Sequence, residues 1–248
     1  MCKLIFTAAF AMLSMLVAGQ GKSLYQLSIV TPKLGQTTSF ENNWKAHVQK
    51  YHKGDDKRMV HEILSGDRTG QFQLISGPSS FADMDTERPT DVAHGLDYDK
   101  TVVPAVENMS GSYTYRHADT LSYNGTVVAD KFVTTIYNIR RGKFNDFTAE
   151  VKRAVAINKA INSKISYNSY VQMWAGTKSQ LVIVTNLKDG FKQMEDNYFP
   201  NQLDAFKAEY IKTYGQEMWD KRQTAVLDFV ESTEVYVSKL RKDLSSPQ

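Results

Sequence analysis

The sequence predicts an α+β fold in which two tandem ferredoxin-like repeats pack sheet against sheet as one compact body. Three observations carry that reading. Two stretches repeat one residue pattern at a nearly constant offset. Strand-like and helix-like periodicities alternate in the same order in both copies. The composition, 42% hydrophobic and 23% charged over 248 residues, supplies the apolar material for a core. Lys and Arg number 30 against 27 Asp and Glu, a balance that excludes a disordered tail and a polybasic nucleic-acid binder.

Residues 1–19 stand apart from the repeat. Met1, Cys2 and Lys3 precede an apolar run from Leu4 to Val17 and the small residues Ala18 and Gly19, the parts of a secretory signal peptide cut before Gln20. The run falls short of the about 20 apolar residues that span a bilayer. The expectation is therefore a secreted or periplasmic protein with no membrane span after cleavage. Cys2 is the only cysteine and leaves with this segment, so disulfides, thiolate metal sites and thiol nucleophiles are not expected.

The repeat divides the remainder at about Asn124, into residues 20–124 and 125–248. At an offset of 107, Tyr25 lies over Phe132, Ile29 over Ile136, Phe40 over Phe147 and Val48 over Val155. At an offset of 110, Leu64 lies over Trp174, Gly66 over Gly176, Phe72 over Val182, Leu74 over Val184 and Phe81 over Phe191.

The elements follow in order. Leu24 to Thr31 and Lys131 to Ile139 are rich in β-branched and aromatic residues and predict the opening strands. Phe40, Trp44, Val48 and Tyr51, and likewise Phe147, Val151, Ala154 and Val155, recur at helical spacing and predict an amphipathic helix after each strand. Arg58 to Leu64 and Gln71 to Ser76 form a hairpin around Gly66 and Gly70, with a counterpart of Ser169 to Trp174 and Gln180 to Thr185 around Gly176. A second helical region then differs between the copies. The first is acidic, turn-rich and weakened by Pro104; the second runs from about Gln202 to Val230 with a break at Gly215. Ser112 to His117 and Thr233 to Leu240 are the last strands, and Ser245 to Gln248 is read as a frayed tail. The order β-α-β-β-α-β is that of a split βαβ unit.

On the residues from Gly70 to Asp85 (with Ser80, Phe81, Ala82, Asp83 and Met84) and from Gln180 to Glu195, the chain resembles the dimeric α/β-barrel superfamily, which includes antibiotic-biosynthesis monooxygenase-like and NIPSNAP-like proteins. The resemblance implies that two sheets, each covered by helices on its outer face, close into a barrel. Both would come from one chain, as an intramolecular pseudo-dimer, so a monomer suffices. Haem enzymes built from two such units are expected to take their axial histidine from the second unit. All five histidines here, His47, His52, His61, His94 and His117, fall in the first, so no haem and no other cofactor is expected.

A closed pair of sheets creates a lumen for a ligand. Residues two apart on a strand share a face, so Glu62, Tyr170, Gln172 and Trp174 are assigned to that lumen as the ligand-binding set, an assignment that a one-residue slip would reverse. Glu62 is the candidate acid or base, with an exposed edge carboxylate, or one paired with Arg58 or Arg116, as its structural alternative. Tyr113, Tyr115, Tyr137 and His117 are either core or pocket wall. His47 and His52 are read as solvated, lying off the apolar stripe of their helix. The acids Asp83, Asp85, Glu87, Asp91, Asp97 and Asp99 lack the spacing of a calcium loop, and no metal site is predicted. The leading functional expectation is non-catalytic binding of a small amphipathic or aromatic ligand. The alternative is a cofactor-independent monooxygenase or isomerase acting on an aromatic or polyketide-like compound, as the resemblance implies for some relatives.

Overall fold

Alternating β-branched and aromatic residues give strands whose two faces meet different partners, and that division organises the molecule. The computed structural model describes residues 21–86, 91–174, 179–196 and 198–247. The predicted signal segment, Glu87, the hairpin turn at Gly176 and the last residue lie outside them. The first half contains β1 (Leu24–Pro32), α1 (Thr37–Tyr51), β2 (Arg58–Ile63), β3 (Phe72–Ser79), α2 (Phe81–Asp85), α3 (Val92–Asp97), β4 (Val106–Met109) and β5 (Tyr113–His117). The second contains β6 (Lys131–Ile139), α4 (Phe144–Ala160), β7 (Tyr167–Trp174), β8 (Ser179–Asn186), α5 (Gln202–Tyr214), α6 (Gln216–Phe229) and β9 (Val230–Leu240). Gly215, at φ +88°, separates α5 from α6 at the predicted break.

The strands form one antiparallel sheet in the order β3-β2-β9-β6-β8-β7-β5-β1-β4, and β1 also pairs with β3, which closes it into a barrel. Val30 and Thr31 of β1 pair with β4 while Leu24 to Leu27 pair with β5, so β4 and β5 together occupy one position and the ring has eight. Between them Ser110 holds the ladder, its Oγ accepting from the Ile29 N–H at 2.8 Å.

This corrects the expectation of two sheets packed against each other. The halves join edge to edge: Glu62 of β2 pairs with Lys239 of β9, and His117 of β5 pairs with Tyr170 of β7. Closure satisfies backbone donors and acceptors that two open sheets would leave bare at four edges.

Helices cover the outer face. Phe40, Trp44 and Val48 of α1 bury against Val30, Val60, Phe72 and Leu74. Phe147 and Val151 of α4 bury against Ile139, Leu181 and Val230. Each such side chain contributes about 1.5–3 kcal/mol of transfer free energy. The chain end is not frayed, a second correction. Leu244 is buried in the first cluster and its carbonyl accepts from Trp44 Nε1 at 2.9 Å, while Ser245 and Ser246 accept from the N–H groups of Val60 and Arg58. These serines supply the partners that β9 no longer provides along the first residues of β2.

Candidate functional site

The inner face of the barrel encloses a cavity of about 450 Å³. Tyr25, Leu27 and Ile29 of β1 line it, as do Phe132, Thr134 and Ile136 of β6, alternate residues in each strand. Tyr113, Tyr115, Tyr170 and Tyr236 add phenols, and Arg68 with Glu234 add the charges. The wall is mainly apolar and aromatic with a few polar groups, the usual character of a small-molecule site.

The predicted ligand set divides. Tyr170 and Gln172 line the lumen as assigned. Tyr170 packs edge-on to Tyr25, with ring centroids 5.5 Å apart. Glu62 does not line it. The lumen residues of β2 are Met59 and His61, and Glu62 faces outward, where its carboxylate accepts from Arg241 Nη1 at 3.0 Å and meets Lys239 Nζ at 3.1 Å.

Register explains the error. With Ile29 laid over Ile136, their ladder partners are Gln73 and Val182, which stand 109 apart rather than 110. His61 pairs with Gln73 and Tyr170 with Val182, so the counterpart of Tyr170 is His61 and the counterpart of Glu62 is Val171. One residue of slip moves the carboxylate to the other face.

Trp174 is likewise outside the lumen. Tyr115 pairs with Gln172 but Thr114 pairs with Trp174, so Met173 is an extra residue, a β-bulge. The bulge gives Trp174 the outward face of Thr114. The indole is 48% exposed and leans on Phe81 at 5.7 Å.

His61 is the residue that sequence reasoning missed. Its imidazole stacks on Phe132 with centroids 4.7 Å apart and planes 6° from parallel. It makes no hydrogen bond to another described residue, which leaves its ring nitrogens to the cavity. Burial lowers its pKa from 6.5 to about 4, so the ring is neutral at physiological pH. A short strand with period-two alternation, Met59 and His61 against Val60 and Glu62, carried the signal, and only the register was wanting.

The phenols are held protonated. Burial pushes Tyr115 up to about 12 and raises Tyr25, Tyr170 and Tyr236 as well. Tyr115 donates to Gln180 Oε1 at 3.0 Å, and Tyr236 accepts from Gln73 Nε2 at 2.6 Å and also bonds the Thr134 side chain. Arg68 grips Glu234 with two hydrogen bonds, Nη2 reaching Oε2 at 3.0 Å, and the half-buried pair keeps a guanidinium against the lumen.

Other residues singled out above sit elsewhere. Tyr137 faces outward against Phe147. His117 Nε2 lies 2.9 Å from Asn168 Oδ1, beside the lumen wall. Asp83 closes a capping box on α2 and Asp91 caps α3, structural roles for two of the acids. His47 and His52, read as solvated, are both buried, because His94 of α3 packs against His47 on α1 and against His52 just after it.

The fold has known company. An anthrone oxidase-like protein superposes with a TM-score of 0.56 at 10% identity, covering 90% of this chain and 92% of its own. A candidate monooxygenase from Fusobacterium nucleatum gives 0.53 at 13%, covering 93% and 96%. Chlorite dismutase from Candidatus Nitrospira defluvii gives 0.52 at 6%, covering 93% and 95%. The chain shares with them an α+β fold built on a closed antiparallel barrel. At these identities the likeness is one of fold alone. No protein-family model and no curated protein matches the chain.

Proposed function

We propose that the lumen binds a planar aromatic or polyketide-like compound and oxidises it without a cofactor, as a monooxygenase-type enzyme with His61 as the base. One observation carries this reading: a neutral imidazole, without a hydrogen bond to any described residue and stacked on Phe132, sits in an aromatic cavity large enough for a small polycyclic ligand. The names of the structural neighbours favour it over the non-catalytic binding expected first. The chemistry balances. His61 takes a proton from an activated CH₂ group, the carbanion adds dioxygen, the peroxide receives the proton back, and loss of water leaves a carbonyl. Arg68 and the protonated phenols of Tyr25 and Tyr170 are the donors that would hold the intermediate oxyanion.

A base with a pKa of about 4 works only on an acidic carbon. That limit is what favours the second reading, non-catalytic binding in the same lumen. Dioxygen uptake with hydroxyanthrones separates the two. The proposal expects one dioxygen consumed per substrate, with the rate falling by about 100-fold or more in His61→Phe while binding persists. Binding without uptake by the unaltered protein leaves the non-catalytic reading.

The organisation of the chain belongs to the same proposal. Residues 20–124 and 125–248 are read as copies of one ferredoxin-like unit, supported by the parallel strand orders β5-β1-β3-β2 and β9-β6-β8-β7. Export through residues 1–19 and a monomeric state are part of that proposal. Among the described residues no helix is long and apolar enough to cross a membrane.

A further inference from the structure

Outside the barrel, between α1, α3 and the outer face of the first-half strands, three histidines converge. Their rings form a tight trio, with centroids 4.8 Å apart for His47 and His94, 5.0 Å for His52 and His94, and 5.3 Å for His47 and His52. One ring nitrogen from each lies within 4.8 Å of the others. His47 Nε2 and His94 Nε2 are 3.0 Å apart. His47 and His52 are buried and His94 is half-buried.

The orientation of these rings is fixed from behind. His47 Nδ1 donates to Asp97 Oδ2 at 2.8 Å and His52 Nδ1 donates to Asp56 Oδ2 at 2.7 Å. A neutral imidazole that donates through Nδ1 carries its lone pair on Nε2. Carboxylates that hold metal-binding histidines in this way fix the tautomer and raise ligand basicity. Lys50 and Arg58 neutralise the outer sides of Asp97 and Asp56, at 3.2 and 3.1 Å. Filling a core needs no such arrangement, since an apolar side chain would supply the volume without burying polar nitrogens.

We propose that His47, His52 and His94 bind one divalent transition-metal ion, zinc being the best match to three imidazoles. Zinc holds imidazole nitrogens at about 2.0–2.1 Å in tetrahedral array, so the nitrogens would stand about 3.4 Å apart. The His47–His94 pair is already near that spacing, and the widest pair must close by about 1.4 Å, a small rotation of a ring. The three rings also line a cavity of about 370 Å³, which leaves a fourth position for water or a small anionic ligand. Three protein ligands with one open position is the pattern of a reactive rather than a sealed zinc site. The site lies on the face of the sheet opposite the lumen, facing Gln26 and Ser76 where the lumen has Leu27 and Ile75, so the lumen chemistry does not use it.

The test uses the full chain produced without a polyhistidine tag, stripped with a chelator and titrated with zinc chloride. One equivalent should bind, and X-ray absorption at the zinc edge should show three imidazoles in the first coordination shell. His94→Gln should weaken binding by more than about 100-fold, and Asp97→Asn by about 10–100-fold with the stoichiometry kept. His117→Gln, away from the trio, should bind as the unaltered protein does. Failure of the unaltered protein to bind a full equivalent, a zinc shell without three imidazoles, or an affinity unmoved by His94→Gln in a folded variant would each overturn the assignment. The absorption measurement reads the ligand set of the unaltered protein and so does not depend on the folding of His94→Gln.

Discussion

Protonating His61 is a perturbation whose cost follows from the structure. The ring titrates at 6.5 when unfolded and at about 4 in the lumen because burial disfavours its charged form. Below the first value the unfolded chain binds a proton that the folded chain does not, so stability rises with pH across this window. The stabilisation associated with the neutral ring is fully present above 6.5 and is lost as pH falls toward 4. Going from about pH 7 to about pH 4.5 should therefore cost about 2.5 kcal/mol through His61 alone. Carboxylates also titrate there, so the assay is a comparison. Urea unfolding at both pH values is measured for the unaltered protein and for His61→Phe, which keeps an aromatic ring against Phe132 and has no titration. The unaltered protein should lose about 2.5 kcal/mol more than the variant. Equal losses, or an imidazole that titrates near 6.5 by NMR, would refute the placement of His61 as a desolvated base.

Three further outcomes are expected. Glu62→Gln should leave ligand binding in the lumen unchanged, measured by calorimetry, and cost about 1 kcal/mol or less in denaturant unfolding, since Arg241 keeps Glu41 and Asp243. Gly66→Ala should lower stability by about 2 kcal/mol or more, because φ is +84° and the added carbon would lie 2.9 Å from the Val235 carbonyl oxygen, and a shift in urea midpoint checks it. Ser238→Ala should be neutral or stabilise by up to about 1 kcal/mol in the same assay, because its buried hydroxyl has no hydrogen-bond partner among the described residues.

The positions of strands and helices were largely legible in local pattern, and tertiary register was not. Strand β6 matches its predicted span, and the long second-half helix breaks at Gly215, because period and turn residues are local signals. Side-chain direction depends on a single residue of pairing offset. The offset of 107 placed β1 and β6 correctly, while 110 in place of 109 sent Glu62 inward and hid His61. Trp174 needed the bulge at Met173, which exists only through pairing with β5. His47 sits three residues after Trp44 and so lay on the apolar stripe of α1 after all, a signal that was available. Its partner His94 comes from a six-residue helix 47 positions away, and no spacing rule joins them.

The most direct test of the lumen as the reactive site is a crystal structure of the protein soaked with a hydroxyanthrone under anaerobic conditions. The expected placement of the ligand is inside the barrel, its ring system between the stacked His61–Phe132 pair and Tyr170, with an oxygen toward Arg68 or Tyr236. Ligand seated among the outer helices, with the lumen empty, would contradict it.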